Sequence, residues 1–331
     1  MAHGSCIPAE GPEPERRMRQ RQGAPATAPA ILILNGKDGL DDHLVELVAR
    51  WREGSPPLEV RVTRASGDAA RFAREAADAG APTVVAGGGD GTIHDVVAGL
   101  LSGAADAPRR IPTLGILPLG TANDFAEMLE VPKDLDGALS LALHGESFAV
   151  DVGWVDDQPV VNMATGGFGT DVTPETSEGL KEKLGRLSYL ITGISRIGSF
   201  RTEPVLVRTE SEVWEGEVVA LAIGNGVRAG GAVQFCPDAR IDDGLLDLTI
   251  VPGEGEGALD ALAMLLETGG DWLSRAVRLR SPWIEVDAPG KLAWSVDGEP
   301  FRAARPRFEA RPGALRLRAP RGSPLLGGGG G

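Results

Sequence analysis

The sequence has few of the residues that build disulfide frameworks and metal clusters. Its two cysteines, Cys6 and Cys236, lie far apart and outside any Cys-x-x-Cys pair. Its four histidines show no spacing typical of metal ligands. The sequence therefore implies neither a disulfide scaffold nor a zinc cluster, and its cysteine usage fits a reducing cytoplasm.

Long apolar runs and an excess of positive charge are also missing. No run approaches the roughly 18 apolar residues that a membrane-spanning helix needs. The formal net charge is −14, whereas binding to nucleic acid needs clustered Lys and Arg to neutralise phosphates. We therefore expect no transmembrane segment and no nucleic-acid partner, and general attraction to an anionic membrane would be weak.

The two ends of the chain differ in composition from the rest. Residues 1–29 are rich in Pro, Arg and Glu and lack the apolar region of a secretory signal. We predict a disordered extension over 1–29 and a flexible tail over 322–331. The sequence leaves open whether translation starts at Met1 or Met18.

The remaining residues are organised in two halves, as expected for 331 residues of which 42% are hydrophobic. Over residues 30–152, apolar strand-like runs alternate with helical patterns, which predicts an α/β domain with a parallel sheet that binds a nucleotide. Over residues 153–321, many short strands predict an all-β sandwich-like domain with inserted helices. The inserted helices are the apolar stripe from Leu180 to Ile197 and the segment from Ala258 to Leu266.

The most informative motif is the loop from Gly87 to Thr92, which lies between a predicted strand and a predicted helix. Successive glycines allow backbone N–H groups to approach a phosphate, and the helix N-terminus adds a positive dipole end. Asp90 disfavours a bare phosphate but suits Mg²⁺ or a sugar hydroxyl. The P-loop pattern is absent, and the dinucleotide pattern fails at Thr92. The loop predicts a metal–nucleotide site; the alternative is a plain tight turn.

A second loop, from Pro118 to Phe125, follows the next predicted strand and should lie at the same edge of the sheet. It offers the side chains of Thr121, Asn123 and Asp124. Helix capping by Thr121 or Asn123 is an equally good explanation of this loop.

Two Asp-Gly turns in the second half carry further carboxylates. Asp243 and its neighbours could hold a hard cation, although a simple turn is the better local interpretation. Glu299, in Asp297-Gly298-Glu299, could act as a general base for a hydroxyl nucleophile, although such carboxylates are usually just solvated.

Taken together, the ordered motifs resemble the diacylglycerol kinase catalytic superfamily, and the bacterial YegS-like lipid kinases in particular. The resemblance runs from about Ile31 to Leu326. The motifs that carry it are Leu34-Asn35-Gly36-Lys37, Val62-Thr63, Gly67 to Arg71, the Gly87 loop, Leu117 to Phe125, Asn162 to Thr170, Gly224-Asn225-Gly226, Cys236-Pro237, Asp243 to Leu246 and Asp297 to Pro300.

The resemblance implies roles for individual residues of this chain. ATP would be bound by Thr63, Gly89, Asp90, Gly91, Thr92, Ile93, His94, Asp95 and Thr121. A structural Mg²⁺, or Ca²⁺, would be held by Asp243 and by the backbone carbonyls of Arg240 and Leu245. Glu299 matches the proton acceptor. His94-Asp95 departs from the Asn-Glu that such kinases commonly carry, which puts a ribose or adenine contact there in doubt.

The resulting hypothesis is an ATP-dependent lipid kinase that phosphorylates a hydroxyl of a phosphatidylglycerol-like or diacylglycerol-like lipid. Asp90, with Asp124 as an additional candidate, would position the catalytic Mg²⁺, and Glu299 would take the hydroxyl proton. The alternatives are a kinase of a soluble substrate such as NAD, and a non-catalytic nucleotide-binding regulator. We expect a cytoplasmic protein, with transient contact to the inner membrane surface as an open alternative.

Overall fold

A computed structural model describes residues 28–37, 42–52, 54, 56–103, 110–167, 202–229, 233–253, 275–289 and 292–327. The predicted helices at 180–197 and 258–266 lie outside the described residues, as do residues 1–27 of the predicted extension and 328–331 of the predicted tail.

The first half is an α/β domain built on a parallel sheet in the order β4-β3-β1-β2. Its strands are β1 (Ala30–Leu34), β2 (Leu58–Val62), β3 (Thr83–Gly88) and β4 (Thr113–Pro118). Its helices are α1 (Asp42–Arg52), α2 (Asp68–Asp78), α3 (Asp90–Leu101), α4 (Asp124–Met128) and α5 (Leu135–His144). The predicted N-terminal fold class is confirmed.

The composition of the central strands explains their position in the sheet. β1 is apolar at every residue and fully buried, with parallel partners on both sides. A continuous apolar strand is typical of a parallel sheet covered by helices, whereas alternation is typical of a half-exposed strand. β2, at the end of the sheet, alternates and is buried only at Leu58.

The second half is rich in antiparallel strands, as predicted. Their bounds are β5 (Ser147–Val155), β6 (Gln158–Val160), β7 (Met163–Gly166), β8 (Glu203–Thr209), β9 (Val213–Gly224), β10 (Arg228–Ala229), β11 (Val233–Gln234), β12 (Leu246–Pro252), β13 (Val277–Ser281), β14 (Trp283–Asp287), β15 (Trp294–Val296), β16 (Glu299–Phe301) and β17 (Arg307–Arg318). A second apolar core, centred on side chains such as Leu221, Trp294 and Phe308, lies within this half. Among the described helices, none has the length and hydropathy needed to span a membrane.

The last strand, β17, joins the two halves into one sheet. It pairs with β14 of the second half, with β5 at the boundary between the halves and, at Leu317, with Leu114 of β4 in parallel. Leu315 and Leu317 belong to the core of the first half, whereas Phe308 belongs to the core of the second. The nucleotide-binding half predicted over 30–152 therefore shares its sheet with a strand from the other end of the chain.

A buried carboxylate fixes the irregular part of β17. The register with β5 shifts between Arg311 and Leu315. Asp151 accepts hydrogen bonds there from the N–H of Gly313 (2.8 Å) and from the N–H of Gly244 (2.6 Å). Since Gly244 follows Asp243, Asp151 also holds the loop of the predicted metal site.

Candidate functional site

A cleft of about 620 Å³ opens at the carboxyl ends of the parallel strands, as the alternation of strands and helices predicts. Five separate segments contribute to it. The lining residues are Asn35, Gly36, Lys37, Val62, Thr63, Arg64, Ala65, Ser66, Ala69, Gly89, Gly91, Thr92, His94, Asp95, Gly120, Asp297 and Glu299. Six of the residues predicted to bind ATP and the predicted proton acceptor therefore face one cleft.

The glycine loop leads directly from β3 into α3. A Cβ atom on Gly88 would lie 2.3 Å from Thr92 Oγ1, so the loop closes tightly on the first turn of the helix. Gly89 accepts hydrogen bonds from the N–H groups of Thr92 (2.9 Å) and Ile93 (3.1 Å). Gly91 is exposed at the N-terminus of α3, where the helix dipole favours a phosphate.

Asp90 connects the glycine loop to the second loop, which runs from Pro118 to Phe125. Its Oδ2 and Oδ1 atoms accept hydrogen bonds from the backbone N–H groups of Asp124 and Phe125, each at 3.0 Å. Asp90 therefore caps the N-terminus of α4, a helix that lies 34 residues further along the chain. Each carboxylate oxygen retains a second lone pair, so Asp90 can cap the helix and still bind a cation.

The helix capping that the sequence suggested for Asn123 is not the arrangement found. Asn123 precedes α4 in the left-handed conformation (φ 53°), and no side-chain cap is formed from that position. Its amide instead spans the turn, accepting from Gly120 N–H (2.9 Å) and donating to Gly120 O (2.7 Å). The cap comes from Asp90, because the two loops are adjacent in space.

The other loop residues lie around the cleft in different ways. The Ile93 side chain is buried in the core of the first half, so only its backbone is available to a nucleotide. Thr121 is exposed and outside the cleft lining, next to Gly120. Asp124 is buried beside Arg228, with 3.6 Å between Asp124 Oδ1 and Arg228 Nε, and Arg228 also pairs with Glu127.

Asp297 gathers four hydrogen bonds at the boundary between the halves. Its carboxylate accepts from the backbone N–H groups of Val161 (2.8 Å), Asn162 (2.9 Å) and Met163 (2.9 Å). Its Oδ2 atom also lies 2.8 Å from Nδ1 of His94. Since a carboxylate oxygen only accepts, the imidazole donates from Nδ1.

Burial and the charges on the cleft wall together shift two pKa values. Burial opposes protonation of His94, but the hydrogen bond and charge of Asp297, with the charges of Asp95 and Glu299, raise its pKa above the ordinary value. Burial raises the pKa of Asp95, and the charge of Glu299 adds to this shift while His94 opposes it. Asp95 and Glu299 thus place two interacting carboxylates on the cleft wall.

The predicted structural metal site lies in a second cleft, which shares no lining residue with the first and includes Arg240 and Asp243. Asp243 is already engaged: it pairs with Arg280, and its Oδ1 atom accepts from Leu245 N–H at 3.0 Å. In the part of the chain that the structure describes, no three His, Cys, Asp or Glu side chains form a metal-binding group. In this arrangement Arg280 supplies the countercharge of Asp243.

The sequence motifs assigned no role to three residues of the cleft. Lys37 and Arg64 bring positive charge to its lining, and Asp297 organises the boundary. For Lys37 a signal exists, because Asn35-Gly36-Lys37 follows β1 at the edge where ligands bind. Asp297 had no local signal beyond its turn, because its partners lie 134 to 203 residues away.

Comparison with family models defines the class of protein. The model of the diacylglycerol kinase catalytic domain matches residues 29–155. The model of the YegS C-terminal NAD kinase beta sandwich-like domain matches residues 162–319. The chain thus combines a diacylglycerol-kinase-type catalytic domain with a β-sandwich-like domain.

Individual proteins of known sequence or structure are similar to about nine-tenths of this chain. "Probable lipid kinase YegS-like" of Cronobacter sakazakii is 45% identical over 301 residues, covering 91% of this chain and 99% of that protein. "Probable lipid kinase YegS" of Escherichia coli is 44% identical over 298 residues, covering 90% and 98%. The crystal structure of a "putative diacylglycerol kinase" from Bacillus anthracis aligns with a TM-score of 0.72 at 26% identity, covering 92% and 99%. The chain belongs to the YegS-like family, as its motifs indicated.

Proposed function

We propose that this protein is an ATP-dependent lipid kinase, which transfers the γ-phosphoryl group of ATP to a hydroxyl of a phosphatidylglycerol-like or diacylglycerol-like lipid. The observation that carries the proposal is the single cleft in which the glycine loop faces Glu299, over 200 residues distant in sequence. The names of the relatives, which describe lipid kinases, support the choice of acceptor.

Each part of the cleft has a role in this reaction. The backbone at Gly89, Gly91 and Thr92 would hold the ATP phosphates at the N-terminus of α3. Glu299, which is exposed in the cleft, would accept the proton of the lipid hydroxyl. The lipid oxygen then bonds to the γ-phosphorus, the bond to the β–γ bridging oxygen breaks, and ADP leaves. Catalysis of this kind depends on positioning and on charge stabilisation.

Positive charge must offset the phosphates in a cleft that also contains Asp95, Asp297 and Glu299. Lys37 and Arg64 supply part of it. Mg²⁺ bound with ATP would supply the rest by neutralising phosphate oxygens, and Asp90 and Asp124 remain the residues proposed to hold it. Asp243, with the carbonyls of Arg240 and Leu245, stays a proposed structural site that requires Arg280 to move.

The test is a mass-spectrometric screen of lipid products. The purified chain is incubated with Mg²⁺-ATP and dispersions of phosphatidylglycerol, diacylglycerol or a total bacterial lipid extract, with NAD as a soluble acceptor. We expect a lipid product 80 Da heavier, about one phosphoryl group, and a kcat some 10²–10⁴-fold lower for Glu299→Gln. Phosphorylation of NAD but of no lipid would favour the soluble-substrate alternative, and no transfer to any acceptor would favour the regulator.

A further inference from the structure

The link between His94 and Asp297 joins the two sides of the proposed reaction. His94 lies one helical turn after Asp90 on α3, the helix that begins at the glycine loop. Asp297 lies two residues before Glu299. The 2.8 Å contact between the His94 ring and the Asp297 carboxylate is therefore a short path from the phosphate loop to the proposed base.

The backbone between Asp297 and Glu299 is held in a tight turn. Val296 pairs with Glu299, so Asp297 and Gly298 form a two-residue hairpin turn between β15 and β16. Both turn residues have positive φ, 50° for Asp297 and 95° for Gly298, as a type I′ turn requires. In such a tight turn the position of Asp297 determines the position of the Glu299 backbone.

The path is also fixed from the second half of the chain. The Asp297 carboxylate accepts from three consecutive N–H groups, at residues 161–163, and its own N–H donates to Met163 O at 2.9 Å. The Asp297 side chain is only 3% exposed, so these hydrogen bonds are shielded from water and hold the turn against residues 161–163. His94 adds a hydrogen bond between this assembly and α3.

The ring of His94 is placed for this link rather than for free contact with a nucleotide. The residue is only 8% exposed, and its Nδ1 atom is committed to Asp297. Proton transfer and in-line attack require the base and the phosphoryl group to be held at a defined separation.

We infer that His94 is a positioning residue, which sets the separation between the glycine loop and Glu299 through its Nδ1 hydrogen bond to Asp297. This role rests on the proposed phosphoryl transfer to a lipid. It differs from direct ATP binding by His94, because it acts on the acceptor side of the reaction.

Three substitutions separate the position of the donor from the presence of a side chain. In His94→Asn the amide nitrogen occupies about the place of Nδ1, whereas in His94→Gln it occupies about the place of Nε2. His94→Leu fills the space without a donor. All three are compared with wild type by thermal unfolding, so that kinetic constants refer to folded protein.

The kinetic experiment measures kcat with the lipid identified by the product screen, and the Kd for ATP by calorimetry in the Glu299→Gln background. Misplacement of about 1 Å can cost about 10²-fold, so we expect a kcat loss of that order for His94→Leu. The loss should be smaller for His94→Gln and nearly absent for His94→Asn, with the Kd for ATP unchanged within about twofold. An ATP affinity that falls in step with kcat, or a His94→Leu variant as active as wild type, would overturn the inference.

A spectroscopic measurement separates this inference from the proposed function. In protein labelled with ¹⁵N-histidine, the Nδ1 atom of His94 should carry the proton, and the signal assigned by its loss in His94→Asn should change in Asp297→Asn. An Nε2-protonated neutral ring would overturn the link even if the lipid kinase activity stands. If wild type phosphorylates no lipid, the proposed function fails and this role fails with it, whatever the ring signal shows.

Discussion

Gly89 and Gly120 touch backbone to backbone: a Cβ atom on Gly120 would lie 2.4 Å from the Cα atom of Gly89. The two loops at the carboxyl ends of β3 and β4 can approach this closely only because neither residue has a side chain. The contact brings the N-terminus of α3 beside that of α4, where Asp90 caps the second helix.

The first prediction concerns this contact. Gly120→Ala should lower the free energy of unfolding by about 1–3 kcal/mol, because the backbone of one loop must move. Gly91→Ala is the matched control: nothing lies within 4 Å of its added Cβ atom, and alanine favours the helix. Denaturant unfolding of the two variants measures the difference. Equal stability of the two variants would contradict the close packing of the loops.

The second prediction separates the structural role of Asp90 from a chemical one. Asp90→Ala removes the acceptor of two α4 N–H groups and should lower the free energy of unfolding by about 1–2 kcal/mol. Asp90→Asn keeps one acceptor oxygen and should lose less stability, although it removes the charge that a cation needs. Thermal and chemical unfolding measure the cost. A fully stable Asp90→Ala would show that α4 does not depend on this cap.

The third prediction concerns pH. Because the pKa of His94 is raised in the folded protein, the stability that its protonation adds is complete below the ordinary value of 6.5 and is lost as pH rises through the raised pKa. The groups that face the ring are Asp297, Asp95 and Glu299. The Tm of wild type minus that of His94→Asn should therefore fall as the pH rises above 6.5. A difference that rises over this range would contradict the sign of the shift.

The fourth prediction concerns the buried thiol. Cys236 is 1% exposed, and burial, with the charge of Asp247, raises its pKa to about 12. The thiolate is the reactive form, so iodoacetamide should not modify Cys236 at about pH 8.5 in native protein, and should do so in guanidinium. A Cys6→Ser variant leaves Cys236 as the single target, and intact mass measures labelling. Rapid modification of the native variant would show that this part of the second half opens readily.

Much of the architecture could be predicted from local sequence. The apolar runs at β1, β3 and β4 and the glycines that follow β3 determine a strand, a loop and a helix within a few residues. The cleft also follows, because parallel strands present their carboxyl ends at one edge. The close match of the motifs to the YegS-like family reflects this local encoding.

Other features could not be predicted because their partners are remote in sequence. The carboxylate of Asp90 is typical of a cation ligand, and only the adjacency of the two loops in the fold shows that it caps α4. The carboxylate of Asp243 is equally typical of a cation ligand, and only the position of Arg280 on β13 shows that it forms an ion pair. In the sequence Asp297 is an ordinary turn residue, and its role depends on hydrogen bonds from residues 161–163, which are distant in sequence.

The sharing of β17 between the two cores bears on the order in which the protein is made and folded. During synthesis, Leu114 of β4 emerges 203 residues before Leu317, its parallel partner. Until then, one side of β4 is an unpaired edge, which is a site for association between chains. The α/β half can complete its sheet only after β17 has been synthesised, so its maturation on the ribosome is coupled to the half that follows it.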